Sequence, residues 1–236
     1  MGRRLILGLL PALLLAMPAY SKPVAKGIAR TDWTRVAAAT PAGGFVLGNP
    51  KARVKLVEFG SLTCPHCRAF DEEGVPTLLG KYVKSGQVSW EFRNYLRDAA
   101  DVTAALIARC NGARSFFPLM RALYKDQPVW FGKAVATPKE QLAKVADLPP
   151  QQQFVTMAKI TGLDSWAVKH GVPAAKAKQC LANLPSVDRL VQMTSDTTEQ
   201  HPDFKGTPGF LINGGLVKDV ASWDGLEPQL KAALGG

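Results

Sequence analysis

Hydrophobic and polar positions divide this chain into stretches of two different periods. Residues 87–96 alternate, with Val88, Trp90 and Phe92 on one side and Ser89, Glu91 and Arg93 on the other, which predicts a strand with one face in the core. Residues 54–59 are a short apolar, β-branched run and read as a buried strand carrying one acid, Glu58. Two short apolar runs around Asn213-Gly214-Gly215 predict a hairpin, because Asn-Gly tolerates the backbone of a tight turn. Residues 44–47 predict a short edge strand, followed by a turn at Asn49-Pro50.

Helical spacing governs most of the rest. From residue 67 to about 85, Phe70, Val75, Leu78, Leu79, Tyr82 and Val83 recur near every third or fourth position, with a kink predicted at Gly74 and Pro76. Between residues 98 and 200 there is almost no strand signal. Helices are predicted at 101–110, 115–125, 139–145, 151–160, 164–169, 174–182 and 186–200. Turns carrying Pro or Gly separate them, such as Thr137-Pro138, Gly162 and Leu184-Pro185. Trp130 and Phe131 follow Gln127-Pro128 and are assigned to a loop, where they could line a peptide groove. A last helix is predicted at 222–234, and no fixed-period repeat occurs.

The order is strand, helix, strand, then helices over residues 101–200, then hairpin and helix. An α/β fold results, in which residues 44–100 and 201–236 build a mixed sheet and residues 101–200 form a helical block inserted in one connection. Residues 22–43, rich in Pro, Ala and Gly, read as an N-terminal lead-in, loosely held to about residue 40.

The first residues say where the chain works. Met1-Gly2-Arg3-Arg4 is basic and residues 5–17 are apolar, too short a run to span a membrane comfortably. Residues 1–21 therefore read as a signal peptide, with small residues placing cleavage near Ala19 to Ser21. No cysteine lies there to be lipid-modified. Export leads to an oxidising compartment, where four cysteines serve redox or structural ends more readily than metal binding. Apolar residues make up 47% of the chain, which places it among globular proteins. The net charge of +10 comes from scattered Lys and Arg with no run of five or six, so a solvated basic surface is expected and not a nucleic-acid site.

The candidate chemistry sits at Cys64-Pro65-His66-Cys67, just after the first buried strand. Free backbone N–H groups and the positive dipole end at a helix start stabilise a thiolate at Cys64, and a charged His66 adds to this. A stabilised thiolate leaves easily, so the disulfide form becomes oxidising. Cys64 is expected to be the more exposed, attacking sulfur, and Cys67, one turn in, the buried resolving sulfur. A static bridge would constrain the unfolded chain little over so small a ring. Zinc would need a fourth ligand that this spacing does not offer, so no metal and no cofactor are expected.

Three further features are singled out. Glu58 either faces solvent or is buried with a raised pKa. Cys110 and Cys180, each in a predicted helix, either bridge one another, as an oxidising compartment favours, or stay as two buried thiols. His170 and His201 lie beside Gly171 and Pro202 and receive no function.

Cys64-Pro65-His66-Cys67 on its strand-turn-helix, Gly206-Thr207-Pro208-Gly209-Phe210 leading into the hairpin, and the helices between them resemble the DsbA-like family of thiol-disulfide oxidoreductases, over about residues 44–234. The resemblance implies a thioredoxin-like fold with an inserted helical domain. It implies a cis Pro208 against the dithiol, with Thr207 and Pro208 binding substrate by strand addition, and Glu58 as a proton relay for Cys67. It also implies a second, non-catalytic bridge of the Cys110–Cys180 kind. Unfolded or reduced exported proteins would be the substrates, and a membrane-bound partner would re-oxidise a periplasmic, monomeric protein. Thr207 resembles the isomerase and reductase relatives more than the oxidases. A disulfide isomerase or reductase of the same fold, or a non-enzymatic holdase or peptide-binding protein, are the alternatives.

Overall fold

The computed structural model describes residues 31–235; the signal peptide expected at 1–21 and the expected lead-in as far as residue 30 fall outside the described residues. Six strands form one sheet: β1 (Ala37–Ala39), β2 (Phe45–Gly48), β3 (Val54–Gly60), β4 (Val88–Asn94), β5 (Gly209–Ile212) and β6 (Gly215–Val217). Their order is β1-β2-β4-β3-β5-β6. Only the central pair β3 and β4 is parallel. A parallel pair needs a crossover, and residues 65–83 supply it.

That crossover begins with α1 (Pro65–Glu73), continues through α2 (Val75–Thr77), and ends in a wider helical turn over Leu78–Val83, where the Lys84 N–H reaches Leu79 O. The expected break at Gly74 has a packing cause. A Cβ on Gly74 would lie 2.8 Å from the Cβ of Trp223, which packs over Phe70 and Tyr82. The hairpin turn uses positive φ at both Asn213 and Gly214.

The helices between the sheet segments are α3 (Ala99–Arg109), α4 (Ala113–Lys125), α5 (Gln127–Ala136), α6 (Lys139–Ala146), α7 (Pro150–Thr161), α8 (Leu163–Lys169), α9 (Ala174–Leu181) and α10 (Leu184–Gln200); α11 (Trp223–Leu234) closes the chain. The residues from Asp32 onward form a single compact unit. Helices and sheet share one core. Phe116 of α4 stacks on Phe45 of β2 at 4.5 Å and meets Phe92 of β4 at 5.7 Å, and Phe117 meets Trp90 at 5.0 Å. On the same sheet face, Phe70 of α1 packs on Phe210 of β5 at 4.9 Å. A smaller cluster of Val57, Phe59 and Leu211 covers the other face, with Tyr95 and Phe204 against it.

Three local expectations change. Residues 44–47 do not make the sheet edge: β2 pairs with both β1 and β4, and the all-alanine β1, inside the supposed lead-in, is the edge. A 3-10 turn at Trp33–Arg35, capped by Asp32, also orders that segment. Trp130 and Phe131 belong to α5, not to a loop. Pro128 sits at the helix start, where its missing N–H costs nothing. Trp130 is core, its Nε1 donating to Leu123 O at 2.8 Å.

Candidate active site

Strand β3 delivers the chain to Ser61, and residues 61–64 turn it into α1. Cys64 is the N-cap of α1 and Pro65 occupies the first helical position, so the orphan N–H groups of the helix start lie beside the Cys64 sulfur. Both cysteines are free thiols and both are buried. Cys64 is 3% exposed and Cys67 fully enclosed, so the expected contrast in exposure is small. The His66 side chain is exposed; its backbone N–H is what reaches Cys64.

The two sulfurs are pushed apart in acidity. Cys64 falls from 9.0 to about 5, first because the Cys67 thiol donates to its thiolate, then through the Thr207 hydroxyl and the backbone N–H groups of Cys67 and His66, all against the cost of burial. Burial raises Cys67, and the negative charge of Cys64 and Glu58 raises it further. Such a pair suits attack at one sulfur and resolution at the other.

Far along the chain, Thr207-Pro208 is a cis peptide, and the Cys64 thiol donates to Thr207 O at 3.2 Å. Thr207 thus acts on Cys64 in two senses: its carbonyl favours the thiol and its hydroxyl the thiolate. Beside this loop opens a cavity of about 350 Å³ lined by Phe204, Lys205, Pro208, Leu216 and Lys218.

Glu58 is buried, 1% exposed. In the sheet it lies between Phe92 on β4 and Phe210 on β5, so burial holds its carboxyl well above the usual range, and the neighbouring charge of Asp71 and Cys64 adds to this. Trp90 Nε1 donates to its Oε2 at 3.1 Å.

Several polar residues at the site escape sequence reasoning. Asp71 of α1, pushed up to about 6 by burial, pairs with Arg121 of α4 at 3.2 Å. Asp101 of α3 is fully buried and pushed up to about 7 by burial, although its carboxylate accepts from Ser61 Oγ at 2.6 Å, Leu62 N at 2.8 Å and Arg97 N at 3.1 Å. Tyr124 OH donates to Ser61 O, and Gln127 Nε2 donates to both Leu62 O and Cys64 O. One signal was available: Asp101 interrupts an apolar helix, as Glu58 interrupts an apolar strand.

Away from the site, the structure joins Cys110 and Cys180, at the ends of α3 and α9, in a disulfide with a Cα–Cα distance of 5.7 Å. His170 stacks on Trp166 at 3.7 Å, and His201 packs against Phe59. Among the described residues, no group of three or more His, Cys, Asp or Glu is arranged to hold a metal ion.

The family described as Thioredoxin matches residues 40–232. A Rickettsia felis protein, provisionally named a protein-disulfide oxidoreductase, is 30% identical over 171 residues, which is 72% of this chain and 53% of that protein. A Rickettsia prowazekii relative with the same provisional name is 28% identical over 191 residues, 80% of this chain and 61% of its own length. The chain thus spans between half and two thirds of these relatives. Among solved structures, a protein-disulfide isomerase from Novosphingobium aromaticivorans superimposes with a TM-score of 0.77 at 31% identity, covering 81% of this chain and 97% of the other.

Proposed function

Because the chain belongs to the thioredoxin family and is DsbA-like within it, we propose that it is a thiol-disulfide oxidoreductase that passes the Cys64–Cys67 disulfide to folding proteins. The observation that carries this reading is the Cys64 sulfur at the start of α1, 3.2 Å from the carbonyl of the residue before cis Pro208.

In the first step a substrate thiolate attacks Cys64 Sγ of the disulfide form, a mixed disulfide forms, and Cys67 departs as a thiolate and takes up a proton. A second substrate thiolate then attacks the substrate sulfur of the mixed disulfide, and Cys64 leaves as a thiolate. Two electrons pass from substrate to protein, and the substrate gains one disulfide. Cys64 is the better leaving group because its thiolate is the stabilised one. Glu58, made a weaker acid by burial, is coupled electrostatically to Cys67 and is the proton source for that thiolate. The Thr207-Pro208 loop and the cavity beside it would receive an extended peptide by strand pairing, which reads backbone more than sequence.

The sheet elements and the inserted helices act as the two parts named from sequence, with 101–200 as the insertion. Export through the leader, a periplasmic setting, monomeric action and re-oxidation by a membrane-bound partner complete the proposal. Thr207 and the likeness to the Novosphingobium protein-disulfide isomerase favour one second reading, an isomerase or reductase. The equilibrium of purified protein with glutathione, measured beside oxidation of a reduced two-cysteine peptide, tests the first. A protein that oxidises the peptide stoichiometrically supports it. One whose disulfide form oxidises no peptide, and whose reduced form only reshuffles existing bridges, sinks it.

A further inference from the structure

The turn that carries the dithiol is gripped from the insertion. Ser61 is its hub. Ser61 O accepts from Cys64 N at 3.1 Å and from Tyr124 OH at 3.2 Å, and the Ser61 backbone N–H lies against Cys67. Its hydroxyl donates to Asp101, whose other oxygen takes the Leu62 N–H. One helical turn earlier, the N-cap residue Asp98 accepts from Thr63 Oγ1 at 2.8 Å and from Asp101 N at 2.9 Å. The first turn of α3 thus presents two carboxylates to three successive residues of the loop before Cys64.

We propose that Asp101 is a positioning residue for the redox dithiol: through Ser61 and Leu62 it fixes the turn at 61–64, and so aims the N–H groups at the start of α1 and of Ser61 at the two sulfurs. This rests on the oxidoreductase reading, since it concerns the same cysteines.

A purely structural carboxylate would be costly at this position. Burying an acid this deeply disfavours folding unless several donors meet it, and an apolar residue of similar size would avoid the problem. Two of the three donors that offset the cost here, Ser61 Oγ and Leu62 N, come from the active-site turn, and the third, Arg97 N, lies next to Asp98. Asp101 spends its hydrogen-bonding capacity on the loop, not on holding α3 to its helical neighbours. Gln127, bonded to Leu62 O and Cys64 O, grips the same turn from α5, so the insertion holds it from two sides.

The test compares Asp101→Asn and Ser61→Ala with Leu163→Ala, which opens a cavity in the same helical block at a fully buried position away from the turn. Three quantities are read: the pH profile of Cys64 alkylation by iodoacetamide, the equilibrium constant with glutathione, and the denaturant midpoint. In Asp101→Asn and Ser61→Ala the alkylation midpoint should rise, and the protein should become a weaker oxidant by roughly three- to tenfold, the worth of one net hydrogen bond. Leu163→Ala should lower the denaturant midpoint and leave both redox readouts unchanged. If the two turn variants lose stability while keeping the wild-type alkylation profile, or if Leu163→Ala moves that profile equally, the proposal is overturned. Should Asp101→Asn fail to fold, Ser61→Ala, which removes a single hydroxyl, decides alone. The wild-type peptide oxidation assay is separate, so failure of the oxidase reading and failure of this inference are distinguishable.

Discussion

Trp90 Nε1 donates to Glu58 Oε2 at 3.1 Å inside a sheet face otherwise made of Leu56, Phe92 and Phe210. A single indole N–H is little compensation for a buried carboxylate, so the carboxyl stays protonated until well above its usual pKa. The sequence put an acid in a strand that had every reason to be wholly apolar. Its neighbours raise its pKa, which suits it to the proposed role of proton donor to Cys67.

Replacing that donor separates chemistry from stability. Glu58→Gln keeps the shape and can still accept from Trp90, yet it cannot release a proton. Peptide-dithiol oxidation should slow by roughly a hundredfold, at the low end of what a positioned acid contributes. Stability should move the other way. An acid with a raised folded pKa favours the fold at low pH and loses that advantage as pH rises, so the variant should exceed wild type in alkaline denaturant titrations. Unchanged oxidation kinetics would show that water supplies the Cys67 proton.

The Cys64 thiol yields a pH prediction of opposite sign. Its folded pKa is lowered from 9.0 to about 5. A lowered acid stabilises the fold above the unfolded pKa, and the gain is lost as pH falls through the folded one. The reduced protein should therefore be more stable than the oxidised one at pH 8, with the gap closing toward pH 5. Denaturant midpoints of both forms, taken in a Cys110→Ala, Cys180→Ala background, check this. A gap that does not depend on pH would mean an ordinary thiol.

Much of this was legible in one dimension. The central strands, the kinked helix after the dithiol and the Asn213-Gly214 hairpin all follow from period and turn chemistry, which are local. What was missed is non-local or carries no pattern. Strand β1 is three alanines with no alternation to read, and only its pairing with β2 makes it a strand. Helix α5 hides behind Pro128, which marks a turn and a helix start equally well. Asp101, Tyr124 and Gln127 gather around Ser61 and Leu62 from as far as 65 positions away, and no spacing rule brings them together.

The Cys110–Cys180 bridge closes a loop of 70 residues, which in the chain-entropy model is worth on the order of 4 kcal/mol. It joins the end of α3 to α9, far from the dithiol in the fold's connectivity. Replacing both cysteines by Ala should lower Tm by roughly 8–16 °C if the whole of that term is realised. Peptide oxidation at 25 °C should stay within about twofold of wild type, since no group at Cys64 or Cys67 is touched. Non-reducing peptide mapping is the direct check: a Cys110 peptide linked to Cys64, or found free, would refute the pairing.

Phe116 decides whether the inserted helices and the sheet fold as one. The ring is fully buried, stacked on Phe45 and in contact with Phe92 and Phe117. It is the aromatic ring of α4 that bridges two neighbouring strands, β2 and β4. Phe116→Ala should cost about 3–5 kcal/mol, the usual range for a buried phenylalanine. Because the cavity would open between the sheet and the block, the loss should appear equally in a probe on each side. Fluorescence of Trp90, read in a background with Trp33, Trp130, Trp166 and Trp223 replaced by Phe, reports the sheet, and helical circular dichroism reports mainly the insertion. Their transitions should shift together to lower denaturant and remain superimposed. If helical signal survives past the Trp90 transition in the variant, the insertion is a separate folding unit and the shared core couples the two parts only weakly. A coincident shift would mean that the residues holding the dithiol turn, Asp101 and Gln127 among them, are present whenever the sheet is folded.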